Sequence, residues 1–197
     1  MRKILCFALC LGIILSCSFS VFAASEVDKD VTISALGNGV NISENSKGNS
    51  DITTTFIITN KSKFPVHVLY VGYNQTIKFM NYGEPFSYDC NWKTSSNDKI
   101  DIKAGKSSKD NFFKSTDIPF IDGFFNANTK ATILFNEYAS VKSKTDLKVT
   151  ASTSSKKVFT VTSGEVYIRS HISNGWVKVA TTNNKYTGWV PVKNLKY

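Results

Sequence analysis

Apolar and polar side chains alternate along much of this chain, most clearly at Ile52, Thr54, Phe56 and Ile58, where Thr53, Thr55 and Thr59 occupy the other face. A period of two over that length predicts a half-buried strand with one core face and one wet face. Polar Asn60-Lys-Ser-Lys63 then turns the chain. Pro65 opens a second run, with Val66, Val68 and Tyr70 on one face and His67, Leu69 and Val71 on the other. Both faces are largely apolar, so this strand is expected to be central, with proline tolerated as its first residue. Upstream, Val31, Ile33 and Ala35 alternate with Thr32 and Ser34. Gly37-Asn-Gly39 predicts a turn into Val40-Asn-Ile42, and residues 45–51 read as a polar loop. Weaker strands are expected at 76–80, 86–92, 99–103 and 130–138, with Gly105 turning the chain after Ile100-Asp-Ile102.

Past the first 23 residues, no segment shows a sustained apolar period of 3.6 with caps at both ends, so helices are not expected. Short strands separated by Asn, Gly, Ser and Lys turns point to a β-sandwich over residues 27–140, a comfortable size for one core. Phe56-Ile-Ile-Thr-Asn60-Lys-Ser-Lys-Phe-Pro65-Val-His-Val, with Ile100-Asp-Ile-Lys-Ala-Gly105 further on, loosely resembles the immunoglobulin-like domains of bacterial surface proteins. Residues 141–146 are polar, charged and short, and read as a linker.

The remaining residues, 147–197, carry five strand candidates at 147–149, 158–162, 166–168, 176–180 and 187–190. Two Gly-Trp-Val units, at Gly175-Trp176-Val177 and Gly188-Trp189-Val190, flank a polar Asn183-Asn-Lys185 turn. That arrangement predicts a hairpin, with Trp176, Lys178 and Ala180 on one face and Val177 and Val179 on the other. Asn174-Gly-Trp-Val-Lys-Val179 and Tyr186-Thr-Gly-Trp-Val190, ending at Leu195, resemble the close of the bacterial SH3 family. Val158 to Val166, with Gly164, resembles the family's middle strand and turn. The opening, Leu147-Lys-Val-Thr150, keeps the family's apolar pair but lacks its Arg and Gly-Pro. The resemblance implies a small SH3-like barrel, an exported protein, and cell-wall peptide or an anionic wall polymer as partner. The expected fold class is therefore all-β: an immunoglobulin-like sandwich followed by an SH3-like barrel.

Compartment and charge narrow this further. Met1-Arg-Lys, an apolar run over 4–22 and small residues around Ala23 read as a secretory leader, residues 1–23, cleaved after Ala23. A retained anchoring helix and lipidation at Cys17 are the alternatives. Cys6, Cys10 and Cys17 fall in the leader, leaving Cys90 alone in the mature chain, so no internal disulfide can form there. A buried apolar thiol is the ordinary reading of Cys90. The formal charge is +9, and residues 146–197 contribute eight Lys/Arg against two acids, a net +6. The basic character thus belongs to the barrel, the part expected to meet an anionic surface. No nucleic-acid motif accompanies it.

Aromatic rings beside lysines are the natural binding candidates, because a ring offers a large face at low entropic cost. Tyr167, Lys178, Lys185, Tyr186 and Tyr197 are the expected ligand-binding residues. Trp176 and Trp189 are expected to fill the barrel core. Asp117-Ile-Pro-Phe120-Ile-Asp-Gly-Phe124-Phe125 is unusually apolar for a connection. It either plugs the end of the sandwich or offers Phe120, Phe124 and Phe125 to a protein partner, which would make the chain an adaptor. Catalysis is not expected. Cys90 with His67 or His171 would be needed for a thiol wall hydrolase, yet His67 sits in a central strand and His171 on the other unit. Asp98 with Asp101, and Asp117 with Asp122, lie in polar turns without a cleft. Two histidines and one thiol give no zinc set, and no cofactor is implied.

Overall fold

The computed structural model describes residues 28–79, 86–93, 100–120 and 125–197, with backbone alone for 28, 36–39, 79, 86–93, 125 and 126. The leader, Asp98, Asp122 and Phe124 lie outside the described residues, as do the side chains of Cys90 and Phe125. Among the described residues, regular structure is antiparallel strand, apart from 3-10 turns at Asp28–Asp30 and Val192–Asn194. The all-β expectation holds.

One sheet has three strands, β1 (Val31–Glu44), β2 (Asn49–Asn60) and β6 (Ser107–Pro119), with β2 in the middle. The other begins with β4 (Phe86–Lys93), β3 (Val66–Phe79) and β7 (Phe125–Val141), and β5 (Ile100–Ile102) joins β3. The two sheets pack face to face through Phe56, Ile58, Val66, Val68, Val71, Tyr73 and Phe112. Phe56 lies 5.2 Å from both the Tyr73 and the Phe112 rings, in tilted pairs that favour aromatic packing. At one end Gln75 crosses the core, its Nε2 donating to Thr54 Oγ1 at 3.1 Å and Thr129 Oγ1 at 2.8 Å. Buried amides need such partners, and here they also tie the two sheets together.

β2 follows its sequence pattern without a break: Ile52, Thr54, Phe56, Ile58 and Asn60 are all buried. β3 corrects the expected faces. Between Val68 and Tyr70 two residues of β3 oppose one of β7, a bulge centred on Leu69. The extra residue inverts the parity, so Val71, Tyr73, Gln75 and Ile77 continue the buried row of Val66 and Val68. Tyr70 is turned away from that row.

Two further differences concern local backbone. The expected turn at Gly37–Gly39 is an irregularity within the continuous strand β1, where Ala35 pairs Phe56 and Val40 pairs Thr54. β6 was not legible. It is an edge strand in which Phe112 is the buried hydrophobe, so its sequence lacks an apolar alternation.

β7 does not stop at the end of the sandwich. It continues into a sheet with β10 (Glu165–Ile168), β11 (Trp176–Thr181), β12 (Thr187–Pro191), β8 (Thr145–Lys148) and β9 (Lys157–Val161). Ser140 is paired with Glu165 of β10 and also with Lys196 of β13 (Leu195–Lys196). Residues 141–146 are the last residue of β7, a three-residue turn and the first two of β8. The barrel core is Leu147, Val161, Val166, Ile168, Val177, Val179, Val190 and Leu195, and Phe64 of the sandwich packs into it.

Asn60 builds the loop that delivers Phe64. Its Nδ2 donates to the carbonyls of Phe64 at 2.8 Å and Ile102 at 3.2 Å, and its Oδ1 accepts from Ser62 N–H at 3.0 Å.

Candidate functional site

In β11 and β12 the buried positions are Val177, Val179, Ala180, Gly188 and Val190; Val177, Val179 and Val190 enter the barrel core, so the row of Trp176, Lys178 and Trp189 lies on the other, outer face. Trp176 and Trp189 are both half-buried on that outer face, which corrects their expected core placement. The interior is filled by β-branched residues and leucine, and Gly188 leaves no space beside it. A Cβ there would sit 2.9 Å from Leu147 Cβ and 2.9 Å from the Lys148 carbonyl. The close approach of β8 to β12 is what directs Trp189 outward.

The ladder then sets Trp189 among cations. It pairs with Lys178 on β11 and with Lys148 on β8, and Lys148 pairs with Lys157 on β9. On the far side of Lys178, Arg169 donates its N–H to the Lys178 carbonyl at 2.8 Å. Neighbouring strands lie about 4.8 Å apart, so the register lays Lys178, Trp189, Lys148 and Lys157 across four strands, with Arg169, just past the end of β10, beside Lys178. The acid inside this band is Asp146. Thr160 Oγ1, donating at 2.6 Å, is the main cause holding the Asp146 carboxyl below its usual range; burial opposes it, and Lys157, Lys148 and Lys144 each lower it further. One carboxylate among that many cations leaves the band positive.

Arg169 is oriented for this role. Its guanidinium donates to Asn184 Oδ1 at 2.7 Å and Asn136 Oδ1 at 3.3 Å, and lies 5.4 Å from the centre of the Tyr167 ring. Asn184 takes a φ of 56° at the tip of the β11–β12 hairpin, a conformation asparagine accepts more readily than most residues. Beside the band, Trp176 lines an open cleft of about 340 Å³ with Thr153, Gly175, Pro191, Val192 and Lys193.

The five expected ligand-binding residues do not come together. Tyr167 and Lys178 are on the outer face. Tyr186 stacks on Phe159 at 4.1 Å with Lys185 over its ring at 5.4 Å, closing the end of the barrel core. Tyr197 meets the Phe64 ring at 4.6 Å, at the junction with the sandwich. Phe120 is half-buried and its N–H donates to the Gly48 carbonyl at 2.9 Å.

Arg169, Lys148, Lys157 and Trp189 are the residues the sequence reading missed. Both rows of β11 hold apolar residues, Val177 with Val179 and Trp176 with Ala180, so its pattern alone does not choose the core face.

His67 serves the junction. Its Nδ1 contacts Asp101 Oδ1 at 2.5 Å and its Nε2 contacts Glu165 Oε2 at 3.2 Å, one carboxylate from each unit. Its ring stacks on Tyr138 with centroids 3.7 Å apart. Burial, then the Asp101 and Glu165 charges, raise the Tyr138 hydroxyl above its ordinary value. On the opposite side of the junction His171 Nδ1 lies 3.5 Å from Asp30 Oδ2. Among the described residues no group of three or more His, Cys, Asp or Glu could hold a metal ion.

Residues 143–196 match the family model of the bacterial SH3 domain. No curated protein matches the chain, and neither does a solved structure.

Proposed function

We propose, from the premise that residues 143–196 form a bacterial SH3 domain, that this is an exported, non-catalytic envelope protein. Its barrel holds an anionic cell-wall polymer, or wall peptide, across the outer face. The observation that carries this reading is the outward Trp189 set between Lys178 and Lys148, with Arg169 and Lys157 extending the band. An indole ring offers a face for a sugar or peptide segment, and the flanking cations attract acidic groups. Export rests on the basic, apolar and small-residue order of residues 1–23. The sandwich, joined through β7, spaces the barrel from whatever lies behind it.

Incubating the mature protein with purified wall sacculi tests the reading. Sedimentation with the sacculi at low salt is expected, falling as added salt shortens the screening length from about 30 Å at 0.01 M to about 8 Å at 0.15 M. Full recovery in the supernatant at low salt overturns it.

A further inference from the structure

The barrel has a second basic surface beside the sandwich, which shares Val192 and Lys193 with the Trp176 cleft. Lys142, Val192, Lys193, Leu195, Lys196 and Tyr197 line an open cleft of about 380 Å³, with three lysines and no Asp or Glu side chain among them. Its walls are set by backbone. Val141 pairs Leu195 and Ser140 pairs Lys196, which places Lys196 alongside the end of β7. Lys142 N–H donates to the Asn194 carbonyl at 2.9 Å, and Lys142 Nζ donates to the Lys193 carbonyl at 2.9 Å. That last bond fixes one ammonium at the cleft and leaves its other hydrogens available. Tyr197 forms the remaining wall, propped against Phe64 of the sandwich and still 52% exposed. The cleft therefore depends on both units being docked.

A neighbouring cleft on the other side of Phe64 gives a useful contrast. It also holds lysines, Lys61 and Lys63, but Asp30 and Glu137 share it. The cleft whose side-chain charges are all lysine is the better suited to an anion.

We infer that the Lys142–Lys193–Lys196 cleft binds a phosphate group, free or within a phosphodiester chain. Lysine ammoniums are point charges with three donors each, which suits a tetrahedral group with several acceptor oxygens. A planar carboxylate is better met by the fork of an arginine, and the cleft lining has none. The Tyr197 ring gives the carbon segments of a phosphodiester chain a face to lie on. This site goes beyond the outer-face reading and uses none of the residues of the Trp189 band.

Three probes, titrated into the isotope-labelled chain from residue 24 onward and followed by amide NMR, test it: inorganic phosphate, a short glycerol-phosphate oligomer, and citrate. Both phosphate probes are expected to shift the amides of Lys142, Lys193, Lys196 and Tyr197, with citrate at least fivefold weaker there. Binding of the oligomer alone makes the polymer the source, and equal binding per phosphate makes the free ion sufficient. K193A/K196A, which removes two exposed side chains, is expected to weaken the oligomer about tenfold at this cleft. W189A is expected to leave the cleft shifts within twofold while weakening capture by sacculi. Shifts confined to the outer face, citrate as strong as phosphate, or an unaffected double variant overturn the inference. The outer-face reading is tested separately, by sacculus capture of W189A, so the two proposals can fail independently.

Discussion

Trp176 and Trp189 lie on adjacent strands of the outer barrel face, one ladder step apart: Trp176 is opposite Pro191, and Trp189 is opposite Lys178. Thirteen residues separate them in the chain, and the hairpin folds them into diagonal neighbours, a spacing of about 7–8 Å between backbones. The duplicated Gly-Trp-Val unit is thus a device for placing two indoles on one surface while its valines, Val177 and Val190, enter the core.

The two glycines of that duplication do different jobs. Gly175 has a φ of +76° with open space where a Cβ would go, whereas Gly188 has an ordinary φ and Leu147 and Lys148 against it. G175A is expected to cost about 1–2 kcal/mol through left-handed backbone strain. G188A is expected to cost about 1–3 kcal/mol by overpacking, and also to displace Trp189. Chemical denaturation measures both losses, and Trp fluorescence should change shape only for G188A. Equal spectra for the two variants would contradict the assigned roles.

The outer face makes a quantitative demand on mutagenesis. W189A should weaken sacculus binding about tenfold, about 1.4 kcal/mol. K148A/K178A should lower affinity at low salt by a similar factor and flatten the salt dependence, because the screened charges are gone. Y186A should spare binding and lower stability instead, since Tyr186 stacks on Phe159 over the core. A binding isotherm at two ionic strengths for each variant separates these effects.

Asn60 predicts a coupling between the two units. N60A removes the donor serving the Phe64 and Ile102 carbonyls and the acceptor serving Ser62 N–H, all in buried surroundings. Stranded buried polar groups cost about 1–3 kcal/mol each, and partial relaxation brings the expected loss to about 3 kcal/mol. Because Phe64 packs into the barrel core, the barrel should melt earlier as well. An unchanged barrel transition in N60A would show the units to be independent.

Tyr138 gives the pH dependence of the junction. Its hydroxyl is raised above the ordinary value by burial and by Asp101 and Glu165. A raised phenol keeps its proton longer in the folded state. Its contribution to stability is therefore complete below about pH 10 and is lost as pH rises through the folded value. Wild-type stability should fall above about pH 10 more steeply than that of Y138F, as read from urea midpoints. An ultraviolet phenolate titration should show a late-titrating tyrosine that Y138F removes.

How much of this was legible beforehand depends on which physical rule sets each feature. The alternation at Ile52–Ile58 is local and survives unchanged, because a strand buried on one face has its register imposed by its own side chains. The barrel strands and their basic charge were likewise readable from short-range pattern. The bulge at Leu69 was not, since a single added residue in β3 is defined only against its partner β7, and it reverses the faces of everything after it. β6 was missed for a related reason: a strand with Phe112 as its buried hydrophobe is held by pairing with β2, a long-range contact that leaves no period of its own.

The amino-acid sequence by itself determined an all-β chain, a basic C-terminal unit, and two Trp-bearing strands joined by an Asn-rich turn. Only the tertiary structure decided that Trp176 and Trp189 face outward, that Lys148 and Lys157 join Lys178 around Trp189, and that Tyr167, Tyr186 and Tyr197 part company. It also decided that β7 serves both units as one continuous strand. Strand periodicity tells which residues share a face. Which face becomes the core, and which residues from distant strands stand beside them, is set by how closely the strands pack, and Gly188 against Leu147 is where that is decided here.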